Sequence, residues 1–162
     1  MKVLFVAPEI RLDSNPTTIP FWAGILGAIV QEKGGQIGVL DLNALRMNHG
    51  GKYVPDEEII KEISSEKWDL IGIGGLTSTY SRIKQLSKII RHHCPESIFI
   101  GGGGWSSYNP VEILELVPEL DMICIGEGEE TFSELYDEVN NGENDHDCGR
   151  RGQHQDDGVL LT

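Results

Sequence analysis

The chain has 162 residues, and its 39% hydrophobic and 24% charged content is ordinary for one globular domain. Its 26 acidic side chains outnumber 13 basic ones, and the net charge of −13 disfavours nucleic acid as a partner. No apolar run approaches the ~20 residues of a membrane span, and no basic leader precedes the first apolar run. The composition therefore predicts a cytoplasmic protein that does not bind membranes.

The first part of the chain predicts a strand, a long loop, a helix and a second strand. Residues 2–7 form a continuous apolar run, which is typical of a strand buried on both faces of a parallel sheet. The polar loop over residues 9–20 is long, and long loops in compact domains are often functional. Residues 21–30 predict a mostly buried helix, and residues 37–40 predict the second strand.

Asp41 ends the second predicted strand, where dinucleotide-binding domains carry an acidic residue that binds a ribose. The loop after the first strand lacks Gly-x-Gly-x-x-Gly, so dinucleotide binding of that kind is disfavoured. We expect Asp41 to cap the turn that follows it, while a contact to the tail of a ligand stays open.

Glycines and hydroxyl residues follow the third predicted strand. Pro55 begins a helix, residues 69–75 form the strand, and a helix with an apolar stripe covers residues 83–90. Glycine exposes backbone N–H groups, and a helix N-terminus attracts anions and polar groups. One hydroxyl is expected to cap the helix, and the others are candidates for binding a ligand. The residues between strand and helix are Gly74, Gly75, Leu76, Thr77, Ser78 and Thr79.

Similar segments follow the fourth and fifth predicted strands. Residues 97–100 form an apolar run that ends in four glycines, Gly101 to Gly104, before Trp105. A single glycine run is explained equally well by a tight turn or by the close approach of a ligand. The fifth strand, residues 122–125, ends in Gly126, Glu127, Gly128, Glu129, Glu130, Thr131 and Phe132.

Glu127 and Glu129 have the spacing of a general acid/base or metal-binding pair. Carboxylates at the start of a helix also satisfy its N-terminus without any chemistry. We expect these two side chains to cap the helix or to hydrogen-bond a ligand.

Five strands that alternate with helices predict an α/β fold with an open five-stranded parallel sheet covered by helices on both faces. Right-handed crossovers favour a flavodoxin-like, Rossmann-like strand order of 2-1-3-4-5. The glycine-bearing ends of the third, fourth and fifth strands then share one rim with the first loop. This rim is the predicted site.

The composition becomes polar at residue 140, so we expect a domain over residues 1–139 and a polar linker or disordered tail over residues 140–162. Only residues 159–161 are apolar enough to start another element. Cys94 and Cys124 are expected to be ordinary small residues. Cys148, flanked by His146 and His154, has no apolar pattern that would hold a metal geometry, so no metal site is predicted.

The motifs after the third, fourth and fifth strands together resemble the N-terminal cobalamin-binding domain of cobalamin-dependent radical S-adenosylmethionine enzymes. The resemblance covers residues 1–139, and Gly-Glu-Gly-Glu-x-Thr-Phe at residues 126–132 is its most specific part. It implies that the nucleotide tail of cobalamin lies beside the sheet between the third- and fourth-strand loops. The corrin ring would cap the rim and face a following catalytic barrel. The implied cofactor-binding residues are Gly74, Gly75, Leu76, Thr77, Ser78, Thr79, Gly102, Gly103, Gly104, Trp105, Gly126, Glu127, Gly128, Glu129 and Thr131.

Two departures from related proteins shape what the resemblance implies. The Asp-x-His-x-x-Gly motif is missing, because the first loop has Asp13 but no histidine, so cobalamin would lack a lower histidine ligand from this loop. His49 precedes Gly50 but has no matching aspartate, and we expect it to be a solvated loop residue. The chain also lacks Cys-x-x-x-Cys-x-x-Cys.

Because that cysteine motif is missing, the chain is not expected to be catalytic alone. It resembles the first domain of a larger enzyme of the radical S-adenosylmethionine methyltransferase type. A C-terminal radical SAM barrel would be its partner, and would carry the [4Fe-4S] cluster and S-adenosylmethionine. Skeletal rearrangement is the other reaction class that the resemblance allows.

Two other functions remain open for the same fold. A flavin-binding or other small-ligand module needs a hydroxyl-rich phosphate loop after the first strand, for which Ser14, Thr17 and Thr18 are available. A cofactor-free docking scaffold is also compatible, because a fold does not prove that its site is occupied. A signalling receiver is disfavoured because Gly74 and Gly75 stand where it needs a carboxylate.

Overall fold

A computed structural model of the chain describes residues 1–16 and 19–141, and the backbone of residues 158–161. The strands are β1 (Lys2–Ala7), β2 (Gln36–Asp41), β3 (Leu70–Gly74), β4 (Ile98–Gly102), β5 (Met122–Ile125) and β6 (Gly158–Leu161). The α-helices are α1 (Phe21–Glu32), α2 (Leu42–Leu45), α3 (Asp56–Ile63), α4 (Tyr80–His93), α5 (Pro110–Leu116) and α6 (Gly128–Asn140). Short 3₁₀ turns lie at Arg46–His49 and Thr77–Thr79.

The sheet has the order β2-β1-β3-β4-β5-β6. The first five strands are parallel, as continuous apolar runs with helical crossovers require, so the predicted order 2-1-3-4-5 is confirmed. β6 pairs antiparallel with β5 at the edge of the sheet. It includes the apolar residues 159–161, while residues 142–157 of the predicted linker lie outside the described part of the chain.

Alternate side chains along each strand point to opposite faces of the sheet, and each face carries its own apolar cluster. Val3 and Phe5 of β1 belong to the cluster that α1 and α6 cover. Leu4 and Val6 belong to the cluster on the other face, which α3, α4 and α5 cover. Because helices cover both faces, a ligand can reach the sheet only at the ends of the strands.

A buried ion pair joins the segment after β1 to α4. Arg82 Nε lies 2.9 Å from Glu9 Oε2, and Arg82 Nη2 lies 3.0 Å from Glu9 Oε1. Glu9 Oε1 also accepts a hydrogen bond from the Val54 N–H at 3.0 Å. These bonds satisfy both carboxylate oxygens, as a buried charge requires. Within the described ranges no helix is long and apolar enough to cross a membrane.

Candidate cofactor-binding site

A cavity of about 520 Å³ opens at the carboxyl ends of β1, β3, β4 and β5, on the face of the sheet that α1 and α6 cover. This is the rim that the sequence predicted, and ligands of open α/β sheets lie at such ends. The volume is within the range of about 300–1,000 Å³ for small-molecule sites. Predicted site residues that line the cavity are Gly74, Gly75, Leu76, Gly102, Gly103, Gly104, Gly126, Glu127, Gly128 and Glu129.

The floor of the cavity consists of backbone and small side chains on three adjacent strands. Gly74 pairs with Gly102, and Gly102 pairs with Cys124, so these residues lie side by side. A Cβ added at Gly102 would have no neighbour nearer than the Cys124 Cβ, at 3.8 Å. A Cβ at Gly74 would lie 2.7 Å from the ring of Trp22. Glycine at position 102 therefore keeps the cavity open, and glycine at position 74 lets Trp22 pack against the sheet.

Aromatic side chains of α1, α6 and β1 form one wall. Phe5 contacts Trp22 edge-on with ring centroids 5.7 Å apart, and Phe132 with centroids 5.6 Å apart. Phe21 and Ile25 line the mouth of the cavity, where they are 67% and 47% exposed. The sequence analysis did not select these residues. The signal that could have indicated them is the presence of large apolar side chains on the exposed face of a helix, which often marks a binding site.

The loops after β3 and β4 approach each other closely. Gly103 has φ +94°, and a Cβ there would lie 2.9 Å from the Gly75 carbonyl oxygen, so no other residue fits without strain. Thr77 Oγ1 donates a hydrogen bond of 3.3 Å to the Gly104 carbonyl. These contacts make the two glycine-bearing loops one unit at the rim.

Five predicted site residues do not line the cavity. Thr77 and Ser78 are exposed beside it, and Thr131 lies in the first turn of α6. Thr79 is 4% exposed; its Oγ1 donates to the Leu76 carbonyl at 2.7 Å and accepts from the Leu76 N–H at 3.1 Å. This hydroxyl closes the 3₁₀ turn before α4. Thr79 is the N-cap residue of α4 but makes no side-chain cap hydrogen bond there, so the expected hydroxyl cap of the helix was wrong, because the Thr79 hydroxyl is engaged with Leu76.

Trp105 lies on the opposite face of the sheet from the cavity. Its ring belongs to the apolar cluster that α3, α4 and α5 cover. The indole N–H donates to the Gly102 carbonyl at 2.8 Å. Trp105 therefore contacts the backbone that forms the cavity floor from behind.

Polar side chains at the end of β2 and in α2 complete the rim. Asp41 Oδ1 accepts from the Ala44 N–H at 3.0 Å, which confirms the predicted cap, and Asp41 also lines the cavity. Asn43 lines it too, and Asn43 Oδ1 accepts from the Ile10 N–H at 3.1 Å. His49, expected to be solvated, is instead partly buried with Nε2 2.8 Å from Glu58 Oε2. The expectation for His49 was wrong because the helix after Pro55 brings a carboxylate beside it.

The cysteines separate into different environments. Cys124 lines the cavity, whereas Cys94 follows α4, where burial raises the pKa of its thiol against the opposing effect of Arg91. Among the described residues no group of three or more His, Cys, Asp or Glu side chains could hold a metal ion. Cys148, His146 and His154 lie outside the described residues.

The fold and the glycine-floored cavity define a small-molecule-binding domain of the B12-binding type. The chain belongs to the B12 binding domain family, which matches residues 10–136. The residues present fit a corrinoid tail, because the cavity lies between a sheet floor of glycines and small side chains and an apolar helical wall.

Larger proteins contain similar domains. The chain is 27% identical to cytidylyl-2-hydroxyethylphosphonate methyltransferase from Streptomyces wedmorensis, covering 89% of this chain and 29% of that protein. It is 24% identical to anaerobic magnesium-protoporphyrin IX monomethyl ester cyclase from Rubrivivax gelatinosus, covering 88% of this chain and 25% of that protein. The chain thus spans less than a third of these relatives.

Two solved structures share the fold. The radical S-adenosylmethionine methyltransferase TsrM from Kitasatospora setae, with cobalamin and a [4Fe-4S] cluster bound, superposes with a TM-score of 0.76 at 18% identity. That superposition covers 99% of this chain and 28% of TsrM. The cobalamin-dependent S-adenosylmethionine radical enzyme OxsB has a TM-score of 0.64 at 21% identity, over 90% of this chain and 19% of OxsB.

Proposed function

We propose that this domain binds cobalamin, with the nucleotide tail in the cavity and the corrin ring against the rim. The observation that carries the proposal is the floor formed by Gly74, Gly102 and Cys124 across three neighbouring strands. A flat, largely apolar group fits against such a floor, and the wall of α1 and α6 covers it from the other side. The sequence analysis expected the tail between the β3 and β4 loops. In the proposed complex the tail also reaches the inner face of α1.

The predicted site residues divide by their position. The glycines that line the cavity surround the tail with backbone atoms. Leu76 at the mouth is 51% exposed and presents an apolar surface to the ring. The exposed Thr77 and Ser78, together with Thr131, Glu127 and Glu129, offer hydroxyl and carboxylate groups to the amide side chains of a corrin. Thr79 and Trp105 support the loops from behind.

Cobalamin, when bound, supplies the cobalt chemistry of methyl transfer. The residues of this chain bind and orient the cofactor and exclude water from its tail. No histidine occurs between residues 8 and 20, so the loop after β1 offers no imidazole to the lower face of the ring.

We further propose that this domain works within a longer radical S-adenosylmethionine enzyme. The barrel of that enzyme would carry a [4Fe-4S] cluster and S-adenosylmethionine, and would face the rim. Support comes from the methyltransferase and radical-enzyme relatives, in which the similar domain occupies less than a third of the chain. Methyl transfer is the reaction class we assign to the whole protein.

Titration of the purified chain with hydroxocobalamin tests the first proposal. We expect the two to co-elute in gel filtration, with the visible spectrum of a cobalamin whose own base has left cobalt. Flavin mononucleotide is titrated in parallel, because a flavin-binding module shares this fold. Co-elution of the flavin alone, or of neither compound, contradicts cobalamin binding by this domain.

A further inference from the structure

Arg46 is 1% exposed and is the largest of the fully buried side chains. Its guanidinium donates to four neutral acceptors: Asn43 Oδ1 at 3.1 Å and the carbonyls of Gly51 at 3.1 Å, Arg11 at 3.2 Å and Ser14. Among the described residues no carboxylate lies within ion-pair distance of it. A buried charge without an ion-pair partner is costly unless it is hydrogen-bonded, and hydrogen bonds engage four of the five N–H groups of this guanidinium. The arrangement therefore organises backbone rather than neutralising an acid.

Two of the three carbonyls that Arg46 binds, those of Arg11 and Ser14, belong to the loop after β1, residues 8–16. Among the described residues other than glycine, Arg11 alone has a positive φ, at +54°. This left-handed conformation is unfavourable for a side chain with a Cβ, and surrounding contacts must hold it. The hydrogen bond from Arg46 to the Arg11 carbonyl is such a contact. Asn43 Oδ1, which also accepts from Arg46, binds the Ile10 N–H.

The same loop forms part of the cavity. Pro8, Ile10 and Asn43 line it. We propose that Arg46 is a positioning residue for the ligand: its buried guanidinium holds residues 8–16 in the shape that closes this wall. The proposal rests on the cobalamin function proposed above. A wall that is already formed lowers the cost of ordering the loop when the ligand binds.

The test compares Arg46→Ala with Arg91→Ala in the 162-residue chain. Arg91 is a suitable control, because it too donates to three backbone carbonyls, of Glu119, Pro95 and Ser97, but at the opposite end of the strands. Hydroxocobalamin affinity is measured together with the rate of tryptic cleavage after Arg11, which is exposed but held in a folded loop. Arg46→Lys, which keeps the charge without the planar fork, replaces Arg46→Ala if the alanine variant does not fold.

We expect Arg46→Ala to raise the dissociation constant of hydroxocobalamin by about tenfold and to speed cleavage after Arg11. Guanidinium ion, at concentrations that leave the wild-type chain unaffected, should restore both properties. Arg91→Ala should lower thermal stability without changing affinity or cleavage. Wild-type affinity and cleavage in the Arg46 variants, or equal effects in Arg91→Ala, would overturn the proposal.

The cleavage measurement separates this proposal from the cobalamin function. If the wild-type chain binds no hydroxocobalamin, the proposed function fails, and cleavage of the ligand-free variants still reports on the loop. Faster cleavage after Arg11 in Arg46→Ala than in Arg91→Ala then supports loop positioning by Arg46. Equal cleavage overturns it.

Discussion

Replacing Gly102 with leucine should block the cavity while leaving the fold intact. A Cβ at position 102 meets nothing nearer than 3.8 Å, and this glycine does not have a positive φ, so a side chain is compatible with the backbone. The remaining three carbon atoms of leucine extend into the space above the floor. The substitution therefore acts on the ligand more than on folding.

The expected loss of affinity follows from the cost of overpacking. Forcing extra methylene groups into a filled site costs about 1–3 kcal/mol, which corresponds to roughly a 5- to 150-fold rise in the dissociation constant. We expect hydroxocobalamin titration of Gly102→Leu to show a change in this range. The free energy of unfolding, from urea denaturation, should change by less than about 1 kcal/mol, because leucine in a strand replaces a weak strand former.

Gly101→Ala is the matched control on the same strand. The backbone of Gly101 borders the cavity, but its Cβ would point to the other face, 3.0 Å from Trp105 and 3.1 Å from Leu120. We expect a loss of about 1–3 kcal/mol in stability with cobalamin affinity retained. Wild-type affinity in Gly102→Leu, or an equal loss of affinity in both variants, would refute the assignment of the tail to this cavity.

Three further outcomes are expected. Hydroxocobalamin at about ten times its dissociation constant should slow iodoacetamide labelling of Cys124 roughly elevenfold. Cys94 should label slowly with or without the ligand, because burial raises the pKa of its thiol and leaves little thiolate. Arg82→Met should destabilise the fold by about 3–5 kcal/mol in urea, since the buried Glu9 carboxylate loses its partner. Bound hydroxocobalamin should quench the fluorescence of Trp22, and Trp22→Phe should remove most of that quenching.

Each of these outcomes has a contradicting result. Equal protection of both thiols, resolved by mass spectrometry of the labelled peptides, would mean that the ligand acts on the whole fold. Retained stability in Arg82→Met would mean that the ion pair does not hold the first loop to α4. Unchanged quenching in Trp22→Phe would place the bound ring system near another tryptophan.

The elements of this fold could be predicted from the sequence because their signals are local. Continuous apolar runs mark β1, β3, β4 and β5, and apolar stripes at helical spacing mark the helices between them. Right-handed crossovers then determine the strand order. The glycine runs at the ends of β3, β4 and β5 indicated the rim, because glycine weakens a strand and lets a ligand approach the backbone closely.

The cavity itself was decided by tertiary packing. Whether a glycine opens space depends on which face of the strand it occupies, and Gly101 and Gly102 are adjacent in sequence but face opposite clusters. The aromatic wall required α1 to lie on the same face as α6, which brings Trp22 and Phe132 to Phe5. From the sequence Arg46 is expected to be exposed, because arginine side chains usually are. Only the folding of residues 8–16 around it buries its charge. Local residue preferences thus determined the strands, helices and rim, whereas contacts between residues distant in sequence determined the shape of the site.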